Sequence, residues 1–306
     1  MRIIAVFLIS LFCASVQAVD FKVVDLPTEA NINKIQFDTD VIGWGVTSDG
    51  EVLSTYNGGE TWKAKKVNPR AINDIHMKGK VGFICGEKGL LMKTTNRGGS
   101  WEDLSLSFKL DLIGVVMATD SIIVVCGNDQ NSISKTKGVV YRSTDRGKTW
   151  EKQAHLGNGY QDIEYFPPTK VYLLAIKKVF HSISSGWHFW EGKYTGDRMA
   201  FGFDFMDDWG YMAGIKGYFA KSIDHGRTWT EVELDTDKNL FDVAMFDKSS
   251  GLAVGEGGIL VFFGDFGDSF SIINSGVDKD LTTVCITDRR IYCGGENGTI
   301  LISERE

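Results

Sequence analysis

The sequence predicts an all-β fold, a seven-bladed β-propeller built from four-stranded antiparallel blades. Three observations carry that expectation. An eight-residue motif returns about every 40 residues, each period holds four strand-length segments, and the last period stops one strand short. No long helical periodicity competes with this pattern, and glycine (35) far outnumbers proline (4).

The motif runs hydroxyl, any residue, Asp or Asn, any residue, Gly, any residue, hydroxyl, Trp. It is met at 55–62 (Asn57, Gly59, Trp62), 94–101 (Asn96, Gly98, Trp101), 143–150 (Asp145, Gly147, Trp150) and 222–229 (Asp224, Gly226, Trp229). Eroded copies stand at 182–189 and 263–270, and a seventh begins at Ile300 to Ser303. The acid or amide oxygen is expected to accept backbone N–H groups in a tight turn, with glycine supplying the positive φ. The hydroxyls bond locally, and the Trp leaves the turn to fill the crevice between neighbouring sheets.

The strands are read from the residues around the motif. A Gly-x-x-Gly hairpin precedes it at 86–89, 214–217, 255–258 and 295–298, flanked by apolar runs such as 81–85 and 90–93. Further upstream lie alternating strands at 72–77, 113–117, 203–205, 243–246 and 283–286, and an outer strand comes after each motif. The last period, from Leu281 to Glu304, has only three strands. The segment Phe21 to Leu26 reads as its missing outer strand, with Phe21 in the tryptophan place, so the two chain ends close the ring.

Residues 1–18 read as a signal peptide: Arg2 is the positive region, Ile3 to Phe12 the apolar core, and Val16 to Ala18 a small-x-small cleavage site. Residues 19–306 are then a single propeller domain, exported to a periplasm, a lumen or the medium, with no further segment to insert in a membrane. The histidines (His76, His155, His181, His188, His225) are scattered and no C-x-x-C pair occurs, so neither metal nor cofactor is expected. Cys85 and Cys126 read as buried core. Cys285 and Cys293 fall on facing strands of a hairpin centred on Arg289, which allows a cross-strand disulfide in an oxidising compartment. The net charge of −7 is spread without a Lys/Arg block, which disfavours nucleic acid, anionic membranes and other polyanions as partners.

The motif resembles the Asp-box, or bacterial neuraminidase repeat. Together with the leader, the seven units, the single-propeller length and the terminal strand swap, it resembles the photosystem II stability/assembly factor-like propellers. That resemblance implies a non-enzymatic docking or assembly module with a protein partner, such as a membrane complex under assembly; a monomer is expected. Sialidases and xyloglucanase-type glycosidases share the box, so the alternative is a glycan-processing or glycan-binding protein. Retaining sialidases need an arginine triad introduced by an Arg-Ile-Pro-like motif; the first arginine after the leader is Arg70, between Pro69 and Ala71. Asp74, Asp111, Asp162, Asp204, Asp242 and Asp280, near the blade starts, are the carboxylates a glycosidase would draw on. Turn and strand-edge roles are the simpler reading.

The boxes are expected to be structural, on the rim away from the binding face. Partner contact is expected on the opposite face. There the linkers between blades carry Asn31, Asn73, Asp111, Tyr160, Arg198, Asn239 and Asp280, and the hairpins carry Glu51, Glu87, Glu256 and Glu296. The long hairpin of the third repeat, with Asn128, Asp129 and Lys137 at its ends, is the best candidate for recognition. The aromatic run Trp187 to Trp190 is open between repacked core and an exposed docking patch.

Overall fold

The structure, a computed structural model, describes residues 20–106, 110–129, 137–153, 159–192 and 198–305. The expected leader (1–18) lies outside these residues, as does the middle of the long hairpin, 130–136. Among the described residues the strands form seven sheets of four antiparallel strands each. Blade 1 is typical: an inner strand Ile32–Phe37, then Gly43–Thr47, Glu51–Thr55 and an outer strand Lys63–Lys66. Exposure tracks strand order. The second strand is buried throughout, while the outer KAKK segment is mostly exposed, because only the outer strand has water on its free edge.

Each sheet buries both faces against its neighbours, so the core is divided into seven clusters, one per blade-to-blade crevice. The closing aromatic of every box enters the crevice in front of its own blade. Trp229 packs with Tyr172 and Phe205, Trp62 with Tyr292 and Ile302, and the eroded boxes use Phe189 and Phe270 in the same place. Phe21 does the same for blade 7, packing beside Leu260 and Leu301.

Blade 7 is closed as expected from the sequence. Lys22–Val23 pairs antiparallel with Ile300–Glu304 in the register Lys22 to Ile302 and Val23 to Leu301, and Val24 N–H donates to the Ile300 carbonyl at 2.9 Å. The seam continues into blade 1, where Tyr292 stacks on Phe37 with ring centroids 4.0 Å apart.

The boxes behave as their chemistry requires. Thr55 Oγ1 accepts the Gly59 N–H at 2.9 Å, Asn57 Oδ1 accepts the Thr61 N–H at 3.1 Å, and the Trp62 indole N–H donates to Gly59 O at 2.9 Å. Two consecutive residues take positive φ, such as Arg146 (65°) and Gly147 (83°). A further relation was not anticipated: the carbonyl just before the box glycine is capped from the preceding blade. Lys93 Nζ donates to Arg146 O at 2.9 Å, Arg142 Nε to Ser185 O at 2.9 Å, and Lys221 Nζ to Phe266 O at 3.0 Å. At the ring seam Arg290 and Tyr292 both donate to Gly58 O, at 2.7 and 3.0 Å. The box therefore joins blades as well as closing a turn.

The disulfide expectation is corrected. Cys285 pairs in register with Tyr292, and Cys293 with Val284, so the hairpin centre falls between Asp288 and Arg289 rather than on Arg289. That half-step puts the two cysteines on opposite sides of the sheet, because side chains alternate along a strand. Both are free thiols, and Cys85 and Cys126 are buried free thiols too.

Candidate functional site

The seven inner strands converge on the axis, and all share one irregularity: a β-bulge near the start of the strand, after the first paired residue as at Ile32/Lys34, Ile72/Asp74 and Leu240/Asp242, or after the third as at Leu112/Gly114. The extra residue re-aims the side chains beyond it. Lys34, Asp74, Gly114, Asp162, Gly202, Asp242 and Thr283 consequently occupy equivalent places around the ring. Gln36, His76, Val116, Glu164, Asp204, Ala244 and Cys285 occupy the next level.

A channel of about 320 Å³ runs between these strands, lined among others by Lys34, Asp74, His76, Glu164, Asp204, Asp242 and Cys285. Lys34 Nζ stands 3.3 Å from Glu164 Oε1. Several carboxylates are tied to the backbone of the next blade. Asp74 Oδ2 accepts the Val115 N–H at 2.8 Å, Asp204 Oδ2 the Met245 N–H at 2.9 Å, and Asp242 Oδ2 the Val284 N–H at 3.0 Å. The two bulge asparagines do the same as donors, Asn33 to Ile72 O and Asn73 to Leu112 O, at 2.8 and 2.7 Å. The residue types the sequence offered as enzymatic carboxylates are thus the stitching between blades. Two glycines make room for it: a Cβ on Gly202 would meet Asp242 Oδ1 at 2.8 Å, and one on Gly114 would meet Asp74 Oδ2 at 3.3 Å.

Burial and crowding of like charge dominate the electrostatics. Burial pushes Asp74 up to about 6, with Glu164 adding to the rise and Lys34 opposing it. Burial likewise lifts Asp204 to about 7, reinforced by Glu164, and raises Asp162 and Glu164. His76 is pushed down to about 4 by burial and by Lys78 and Lys34, so it is neutral. For Lys34 burial works against the charge, but Asp162, Asp242, Glu164 and Asp74 together hold it protonated well above the usual lysine value. Among the described residues no cluster of three or more His, Cys, Asp or Glu is arranged to hold a metal ion.

The strand ends define two faces. On the box face, each box turn bonds to the first hairpin of its own blade, as Arg97 N to Lys80 O. On the linker face, the described linkers bond to the second hairpin of the blade they enter, as Glu87 N to Ala71 O. The expected contact residues lie on the linker face, but the structure divides them. Glu87 and Lys137 are exposed and Asp129 is half-exposed. Tyr160 is corrected: at 1% exposure it is core, packed with Ile163 and Leu173, because the bulge turns the linker end inward.

Asn128 is a clamp, donating from Nδ2 to Tyr160 O at 3.0 Å and accepting the Tyr160 N–H at 2.8 Å. The linker residues Asn31, Asp111, Asn239 and Asp280 make a similar latch. Each accepts from the left-handed residue of the preceding blade's second hairpin, namely Asn297, Lys88, Lys216 and Gly257, at 2.8–3.0 Å. Glu256 and Glu296 accept the N–H of Asn239 and Asp280 at 3.2 and 3.4 Å, so they brace the same joints. Arg198 bonds Lys216 O and Glu231 and lies over the Tyr218 ring.

What the sequence reading missed at this face, Asn73 aside, is the ring of bulge residues at the channel mouth. Phe201 and Phe241 from adjacent blades stand there half-buried, ring centroids 5.8 Å apart. The signal was present as a break in alternation, two like residues in a row after the apolar start: Asn33-Lys34, Asn73-Asp74, Gln161-Asp162. The run at 187–190 splits between the two readings: Phe189 joins the core, while Trp187 and Trp190 are 42% and 47% exposed.

Among known proteins, the family described as Photosynthesis system II assembly factor YCF48 matches residues 13–163. Photosystem II assembly lipoprotein Ycf48 of Synechococcus sp. (strain CC9902) is 31% identical over 43% of this chain, and the chain spans only 39% of that relative's length. Photosystem II assembly lipoprotein Ycf48 of Trichormus variabilis is 25% identical over 85% of this chain and 92% of its own. A solved structure described as YCF48 bound to D1 peptide superposes with a TM-score of 0.78 at 20% identity, covering 94% of this chain and 95% of that one.

Proposed function

We propose that this chain, a photosystem II assembly factor-like Asp-box propeller, is a non-enzymatic module that docks a protein partner on its linker face during assembly of a membrane complex. The observation that carries this is the match to a photosystem II assembly lipoprotein over 92% of that relative's length, joined to the overall fold shared with a solved YCF48 structure at a TM-score of 0.78. The solved neighbour holds, by its description, a D1 peptide, and an extended peptide segment is the partner chemistry carried over here. Removal of a leader after Ala18 would deliver residues 19–306 as one monomeric domain outside the cytoplasm, where relatives named lipoproteins would also work.

The local chemistry supports docking over catalysis. Asp74, Asp204 and Asp242 spend carboxylate oxygens on backbone N–H groups of the next blade, which fits a joint better than an acid–base pair. Phe201 and Phe241, with Glu87, Asp129 and Lys137 on the same face, offer an aromatic centre inside a polar rim, the usual make-up of a protein contact. The test is affinity for a partner captured from host membranes. Phe201→Ser with Phe241→Ser, or replacement of 130–136 by a Gly-Asn turn, is expected to weaken binding at least tenfold, about 1.4 kcal/mol. Turnover of fluorogenic glycosides, abolished by one acidic substitution, would overturn the reading in favour of a glycan-processing enzyme.

A further inference from the structure

Among the described residues nine large apolar side chains are exposed, and five of them belong to the boxes of three consecutive blades or the residue just after: Ile183, Trp187, Trp190, Ile223 and Phe266. Turn chemistry does not ask for them. The places of Ile183 and Ile223 are taken by Thr95 and Thr144 in blades 2 and 3, and that of Trp187 by Lys148. The two isoleucines are 59% and 60% exposed, at the tips of their turns.

Close contacts link the three turns into one rim. A Cβ on Gly192 would stand 2.4 Å from Gly226 O, so the end of the strand Trp190–Glu191 lies directly on the box that carries Ile223. That box bonds the neighbouring hairpin through His225 N to Asp208 O at 3.0 Å, and the adjoining Trp209 packs on Phe266 with centroids 4.7 Å apart.

The arrangement suits a bilayer better than a shaped protein. Protein contacts bury a continuous packed centre ringed by polar groups, whereas these tips stand singly, separated by the polar residues of their own boxes. A fluid interface admits separated tips. Arg142 lies over the Trp187 ring at 5.1 Å, and His181 lies beside Trp190 at 5.9 Å, so both indoles join an apolar ring to a polar or cationic group, as side chains at headgroup level do. Two of the flanking lysines are already paired, Lys178 with Glu191 and Lys221 with Asp268, so the attraction is chiefly apolar.

We propose that the box-face rim of blades 4 to 6 rests against the interfacial zone of a lipid bilayer, with Ile183, Ile223 and Phe266 as its apolar tips and Trp187 and Trp190 at headgroup level. Contact there turns the linker face, at the other end of the same strands, away from the lipid.

The experiment is flotation of the full chain with phosphatidylcholine vesicles, with and without phosphatidylglycerol, together with quenching of tryptophan emission by brominated phosphatidylcholine. Wild type is expected to float with both vesicles, and added salt is expected to leave the bound fraction unchanged. Ile183→Ser, Ile223→Ser and Phe266→Ser combined should lower partitioning at least tenfold while the thermal midpoint holds. Trp187→Phe with Trp190→Phe should keep association and lose most of the quenching, a readout that survives even if the triple variant misfolds. Equal flotation of wild type and triple variant would overturn the proposal, as would full quenching without the two indoles. So would loss of a protein partner from the triple variant when wild type ignores vesicles. Failure here leaves linker-face docking standing, because that is read separately through the Phe201 and Phe241 variants.

Discussion

Lys34 of blade 1 meets Glu164 of blade 4 inside the channel, Nζ to Oε1 at 3.3 Å. It is the cation among the carboxylates of Asp74, Asp162, Glu164, Asp204 and Asp242, and it ties opposite sides of the ring. Lys34→Met removes that counter-charge and leaves the carboxylates facing one another. Because the pair retains some solvent contact, the expected loss is about 1–2 kcal/mol rather than the full cost of a dry pair. Urea unfolding of both proteins measures it, and the gap should be wider at pH 8 than at pH 5.5.

The channel acids also set the response to pH. Asp74 and Asp204 titrate at about 6 and about 7 in the folded protein, well above an unfolded aspartate, so the folded state holds protons the unfolded state releases. Their contribution is fully present below about pH 4 and is lost as pH rises through 6 to 7. Asp224 and Asp247 act in the opposite sense, since hydrogen bonds hold them below the usual range despite some burial, and their contribution is lost at acid pH. Stability should therefore peak in mildly acidic buffer. Asp204→Asn should flatten the decline between about pH 4 and 7, as read by unfolding midpoints across pH.

Asp224 is bonded by the Thr228 N–H at 2.8 Å and hydroxyl at 2.6 Å. Asp224→Ala should cost about 1–2 kcal/mol and leave partner affinity untouched. Asp145→Ala should destabilise in the same direction. Loss of partner binding at full stability would move the functional site to the boxes.

Tyr292→Phe deletes one donor to Gly58 O at the seam of first and last blades while keeping the stack on Phe37. A loss of about 1 kcal/mol is expected. Deleting residues 20–26 should do more, since it unpairs the outer strand of blade 7 and uncovers the crevice that Phe21 fills. Hydrogen exchange localised to residues 281–304 would report the opening.

Much of this molecule was legible in the residues alone. The box is local chemistry: a hydroxyl, an acid or amide and a glycine within eight positions close their own turn, whatever surrounds them. Repetition then counted the blades, and the truncated last repeat called for Phe21 to Leu26 to complete it. What the sequence could not decide is what depends on register and on convergence about an axis. One bulged residue per inner strand moved Tyr160 from the surface to the core and aimed Asp74, Asp204 and Asp242 at the next blade's backbone. One half-step in a hairpin placed Cys285 and Cys293 on opposite sides of a sheet. Lys34 and Glu164 are 130 residues apart and drew no notice in sequence, yet they meet because seven inner strands share one channel. Local turns are decided by neighbours in the chain, whereas side-chain direction at the axis is decided by strand pairing and ring closure, and those exist only once all seven blades have assembled.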